Sequence, residues 1–283
     1  MVIESLLNPS SAEKKPWEMF FLGFVYSTIA IILSLWIFRD QASLIMVFLT
    51  VMACLPIVYN TMKLEEAKDM SIKKERVLLK EHNKAIIFFV FLFLGITFSF
   101  ALGYVLSPPE IITDLFSKQT ATIQNINNQV SGNMIEQLSI FTKIFFNNLN
   151  VLAFAILFAF IYGAGAIFIL TWNASVIGTA VGNFIRSNLT EYATAVGLTK
   201  FSAYFGVVSL GLLRYSIHGI PEIIGYFYGG LAGGIISVAI AKKHYKSEKF
   251  TNILFDVSEL LLISLSFLLV AAFLEVYITP IFF

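Results

Sequence analysis

Four ionisable side chains stand in otherwise apolar sequence: Arg214, His218, Glu222 and Glu275. The first three recur at intervals of four, so on a helix they share one face. An imidazole with two carboxylates can hold a divalent cation or relay protons, and an arginine beside carboxylates forms a buried ion pair. The spacing His-x-x-x-Glu is a weak metal signal, and no His-Glu-x-x-His or paired-cysteine pattern accompanies it. Three readings compete. One is a structural network, with Arg214 paired to Glu222 or Glu275 and His218 alongside. The second is a metal or catalytic site at His218, Glu222 and Glu275. The third is a proton or ion relay in a transporter. The structural network is favoured, because ionisable groups in apolar helices are costly and normally face a partner inside the bundle. No catalytic residue, metal or cofactor is expected.

The elements that must position these groups are membrane helices. The chain of 283 residues is 58% hydrophobic and 13% charged, with a mean hydropathy of +0.81. Such a composition predicts an all-α fold, a polytopic transmembrane helix bundle of about seven spans. The lipid bilayer is therefore the first partner. A net charge of +1 gives no footing for nucleic acid. The single cysteine, Cys54, lies in an apolar run and reads as a small core residue.

Three regions follow along the chain. Residues 1–59 form an N-terminal transmembrane hairpin, with spans 17–38 and 41–59 joined at Arg39-Asp40. Residues 60–84 form a charged cytoplasmic helix or linker with seven basic residues, where His82 is expected to be solvated. Residues 85–283 form a five-span core with an extracytoplasmic segment, 107–147, whose apolar residues recur at helical spacing. That segment either lies on the membrane surface or packs over the bundle. The uncharged run 144–185 divides into a span at 148–170 and a half-helix at 173–185 with Asn173 as its N-cap. Spans at 196–217 and 221–241 meet at a corner made by Gly219 and Pro221, and a last span covers 256–278.

This arrangement places 15 Lys and Arg on one side against Arg39, Lys118 and Lys143 on the other, so the N-terminus is cytoplasmic and the C-terminus outside the cell membrane. Beyond Glu222, Gly225, Gly229 and Gly233 form a small-residue stripe, with Gly230 and Gly234 beside it. Such stripes let helices approach closely. Packing within the chain is the first explanation and a homodimer seam the second.

Four blocks carry a resemblance. They are Asn147-Asn148 within Phe-Phe-Asn-Asn-Leu, then Gly163, Gly165, Asn173 and Gly178. His218-Gly219-Ile-Pro-Glu222 follows with its glycine block, and Ala271 to Pro280 closes the series. In this order they resemble the stage II sporulation protein M family over about residues 85–283. The resemblance implies a membrane component that recruits and positions protein partners, cell-wall hydrolases in the bacterial namesake, without being a hydrolase itself. The hairpin and charged linker depart from the minimal family pattern. The expected function is a non-enzymatic multipass scaffold for envelope or membrane remodelling, with protein partners at the membrane. Its rivals are a transporter or channel-like permease using the polar corner, and an intramembrane metalloenzyme.

Overall fold

The computed structural model describes residues 13–72, 74–127, 134–162, 166–191, 198–247 and 250–282. The side chains of residues 75, 125–127, 134–136, 161–162, 188–191, 198–215 and 282 are not described. The described elements are helices: α1 (Trp17–Ile37), α2 (Ala42–Ser71), α3 (Glu75–Leu106), α4 (Pro109–Asn127), α5 (Met134–Tyr162), α6 (Ala166–Glu191), α7 (Leu198–Ala241) and α8 (Phe250–Phe273). Among the described residues there is no strand. Among the described residues seven helices are long and apolar enough to cross a membrane, and the chain is a multi-pass membrane protein.

The number of spans agrees with the sequence, but three boundaries do not. First, the stretch 60–84 is no separate helix. It is the end of α2 and the start of α3, joined across residues 72–74. At 1.5 Å per residue the 30-residue α2 is about 45 Å long, beyond the roughly 30 Å of a hydrocarbon core, so its charged end projects.

Second, residues 173–185 are not a half-helix. They belong to α6, which has 26 residues and a full span at Ala166–Ser187. The amphipathic start of α5 runs straight into apolar sequence, which moves the division of the uncharged run to 163–165 and leaves Asn173 mid-helix.

Third, there is no corner at Gly219 and Pro221. The expected spans 196–217 and 221–241 form one helix, α7, of 44 residues or about 66 Å. Proline removes one backbone donor and crowds one carbonyl, and a packed helix can continue through it. The second and third differences offset, so seven crossings remain.

Close backbone contacts fix the helix directions. Gly23 of α1 faces Leu92 and Ile96 of α3, and Gly103 faces Ile31, so α1 and α3 run parallel. Gly178 and Gly182 of α6 meet Phe100 and Tyr104, so α6 is parallel to α3 as well. Helix α7 runs parallel to α5, with Gly229 on Leu152 and Gly233 on Ala159. It is antiparallel to α8, where Gly225 meets Leu268 and the Ser264 hydroxyl donates to the Gly225 carbonyl at 2.7 Å. The core between α3 and α7 is aromatic: Phe89 stacks on Phe227 with ring centres 5.7 Å apart.

Arg186 donates from Nη1 to the Ser107 carbonyl at 2.5 Å, at the far end of α3 from the charged stretch. Arg186 and Lys200 therefore belong to the opposite end from the one expected. Among the described residues the distribution becomes 11 Lys and Arg at the end where α2 and α7 finish, and five at the other, with Arg214 within α7.

Helix α4 does not cross. It packs over the bundle end where α2 begins, burying Leu115, Phe116 and Gln119. The Gln119 amide donates to the Ser43 carbonyl at 3.0 Å and to the Ser175 hydroxyl at 3.2 Å. Arg39 donates to Asp114 at 2.8 Å. These contacts tie the hairpin, the amphipathic helix and α6 together.

Candidate functional site

The residues expected to form a polar corner stand instead along a continuous helix and the helix antiparallel to it. His218 and Glu222 lie on α7, one turn apart. The Tyr226 hydroxyl donates to Glu222 Oε1 at 2.8 Å. His218 Nδ1 lies 3.3 Å from Thr279 Oγ1. Glu275 sits in a wide π turn, Leu274–Ile278, that continues α8, and it interacts electrostatically with Glu222. Pro280 explains the turn: its ring would collide with the carbonyl four residues back, Val276, and a widened turn relieves that. The structure thus brings His218, Glu222 and Glu275 into one neighbourhood. The side chain of Arg214, and with it the choice of pairing partner, lies outside the described residues. The half-helix that a transporter reading drew on is absent.

The other singled-out residues are mostly packing positions. Gly225, Gly229, Gly230 and Gly233 face Leu268, Leu152, Ala166 and Ala159, and Gly234 is buried with them. The stripe is thus occupied by the chain's own helices. Gly178 seats on Phe100, while a Cβ at Gly219 would meet nothing within 4 Å. Asn148 is buried and Asn147 exposed, on adjacent faces of α5. Asn173 lies half-buried in α6, Pro280 is exposed, and Gly163 lies outside the described residues.

The densest constellation lies at the basic end, in the stretch expected to be solvated. His82 has no solvent exposure. Its Nδ1 is 2.7 Å from Glu65 Oε2, and its Nε2 is 2.9 Å from Asp256 Oδ2. Asp69 Oδ1 lies 3.1 Å from the same Nε2 but makes no aligned hydrogen bond, because the ring nitrogen points at Asp256. One imidazole therefore joins α2, α3 and α8. Donation to both sides takes an imidazolium, whereas a neutral ring donates from one nitrogen and presents a lone pair at the other. Lys68 donates to Glu65 at 2.6 Å and to Glu13 at 2.9 Å. Burial pushes the Glu13 carboxyl up to about 7, reinforced by its hydrogen bond with Glu65.

A second clasp adjoins the first. Buried Glu66 accepts from Lys242 Nζ at 2.6 Å and meets His244 Nδ1 at 2.5 Å. Lys243, at φ 61°, turns the chain out of α7 in the left-handed region and brings these donors back to α2.

The buried cluster had a sequence signal. Met62, Glu65, Glu66 and Asp69 recur at helical spacing, as do Leu78, His82, Ala85, Ile86 and Phe89. Each acidic or imidazole group continues an apolar stripe into charged sequence.

A protein family described as Stage II sporulation protein M matches residues 85–280. Comparison with curated proteins and with solved structures finds no match. The matched region begins in α3 and ends at Pro280, so it contains His218, Glu222, Asp256, Glu275 and the glycine stripe. It leaves out α1, α2 and His82. Because the match takes in more than half of a chain whose helices form the expected bundle, the protein belongs to the stage II sporulation protein M family.

Proposed function

We propose that this protein is a non-enzymatic scaffold of the cell membrane that holds partner proteins during envelope remodelling. The observation that carries the reading is α4, an amphipathic helix mounted on the bundle without crossing it. Its buried face is fixed by Leu115, Phe116 and Gln119. Its outer face presents Glu110, Thr113, Ser117, Lys118, Ala121 and Gln124 to solvent. A polar helix face held rigidly at one end of a bundle suits protein docking, since little ordering entropy remains to be lost on binding. The excess of Lys and Arg at the opposite end supports a cytoplasmic N-terminus, with α4 outside.

Photo-crosslinking in native membranes from positions 113, 117 and 121, with positions on the lipid-facing side of α1 as controls, tests this. Discrete adducts with an envelope-remodelling protein from the α4 positions alone are expected, and reversing the charges of Glu110 and Lys118 should weaken them. Adducts only with lipid, or equal adducts from α1, would defeat the scaffold reading.

A further inference from the structure

We propose that Asp69, His82 and Asp256 form a binding site for a divalent metal ion of the zinc class, clamping α2, α3 and α8 at the basic end of the bundle. One potential ligand atom from each residue lies within 4.8 Å of the other two. Tetrahedral zinc with bonds of about 2.0–2.2 Å separates its ligands by roughly 3.3–3.5 Å. The present 2.9 and 3.1 Å from Nε2 to the two carboxylates need to open by only a few tenths of an ångström.

Carboxylate oxygens without hydrogen bonds surround this space, although Asp69 Oδ1 keeps its 3.1 Å ion-pair contact with His82 Nε2. Asp69 is only 5% exposed, yet neither of its oxygens makes a hydrogen bond. Asp256 is 4% exposed, and its Oδ1 is also without one. Buried carboxylate oxygens without hydrogen bonds are costly in protein, and a cation satisfies several at once.

Charge balance favours a dication over the imidazolium. The neighbouring cations are committed elsewhere, Lys68 to Glu65 and Glu13, and Lys242 to Glu66. Two aspartates with one imidazolium leave a buried charge of minus one. Two aspartates with a neutral ring and a dication leave none. The ring is already oriented for that exchange: Nδ1–H faces Glu65, the carboxylate–imidazole–metal arrangement that fixes tautomer and raises ligand basicity. Binding would release the Nε2 proton to solvent as the metal takes its place. The ligand set of one nitrogen and carboxylate oxygens suits zinc or manganese better than copper(I), which prefers sulfur.

The test uses the full-length protein in mild detergent, stripped with chelator and reloaded with Zn2+. Metal content is read by elemental mass spectrometry, and Co2+ substitution gives a ligand-field spectrum. About one zinc per chain is expected, together with a raised melting temperature. Asp69→Asn and Asp256→Asn should each lose the metal and the cobalt spectrum while still eluting as folded protein. Glu65→Gln should bind 10–100-fold more weakly. His218→Asn, in the other polar neighbourhood, should bind normally. A substoichiometric zinc content in the wild type, or undiminished zinc in Asp69→Asn combined with Asp256→Asn, overturns the site. Because Asp69→Asn preserves the imidazole and the volume, failure of a His82→Ala variant to fold leaves the test intact. The scaffold reading stands or falls separately, by crosslinking.

Discussion

Gly95→Ala should loosen the N-terminal hairpin from the family core. Gly95 of α3 lies against the backbone of Phe20 in α1. A Cβ there would overlap the Phe20 carbonyl oxygen and stand 2.8 Å from its carbon and 3.0 Å from its Cα. These are backbone atoms, so no side-chain rotation relieves the clash, and α1 must move outward by roughly an ångström to regain ordinary contact. That shift strains the 2.9 Å hydrogen bond between Thr28 and Ser99, a kind averaging about 0.6 kcal/mol in membrane bundles. It also parts the contact of Gly23 with Leu92. Overpacking typically costs 1–3 kcal/mol, so a loss of about 2 kcal/mol is expected.

Gly219→Ala is the matched control. A methyl there meets nothing within 4 Å, and replacing a mid-helix glycine should stabilise by up to about 1 kcal/mol. Reversible unfolding in mixed micelles, followed by the fluorescence of Trp17, Trp36 and Trp172, gives both values. If Gly95→Ala unfolds within about 0.5 kcal/mol of wild type, the close backbone seam is wrong.

Three further outcomes follow from the basic end. His82→Ala leaves Glu65, Asp69 and Asp256 facing one another without their shared partner and should destabilise by about 3–5 kcal/mol in the same assay; a change under 1 kcal/mol would contradict the burial of this cluster. Lys243→Gly relieves a left-handed residue at φ 61° and should stabilise by about 0.5–1 kcal/mol in thermal melts, where a loss would count against the turn geometry. Glu13 holds its proton up to about pH 7 in the fold, so the folded chain binds more protons than the unfolded one between the ordinary carboxyl value and 7. Its contribution is present at low pH and lost as pH rises through about 7, with Lys68 and Glu65 as the facing charges. The melting temperature of wild type minus that of Glu13→Gln should fall from pH 5 to pH 8, and a flat difference refutes it.

Hydropathy sufficed for the membrane class and for the count of spans, because lipid demands long apolar helices whatever their packing. It did not place the ends of α5, α6 and α7. An uncharged run of 42 residues offers few local marks, and Asn173, Gly219 and Pro221 are break signals that packing overrides. The glycine stripe was legible as a packing surface, since only close approach explains small residues at every fourth position. Which helices fill it is a tertiary matter. The His82 cluster was obscured by composition. Mixed charges next to a span suggest a solvated face, yet Glu65, Asp69 and His82 lie on the inward stripe, and their partner Asp256 is 174 residues from His82.

The clasp on Glu66 also sets an order for biosynthesis. Its donors, Lys242 and His244, follow it by 176 and 178 residues. A ribosome has therefore delivered six of the seven spans before either donor exists. Until then Glu66 must remain hydrated, protonated or attended by another protein. Closure of the clasp reports that α7 has been inserted with its end beside the end of α2. A chain stopped before residue 242 keeps a bare carboxylate at a helix–helix seam, a feature by which membrane quality control could distinguish an unfinished product from a finished one.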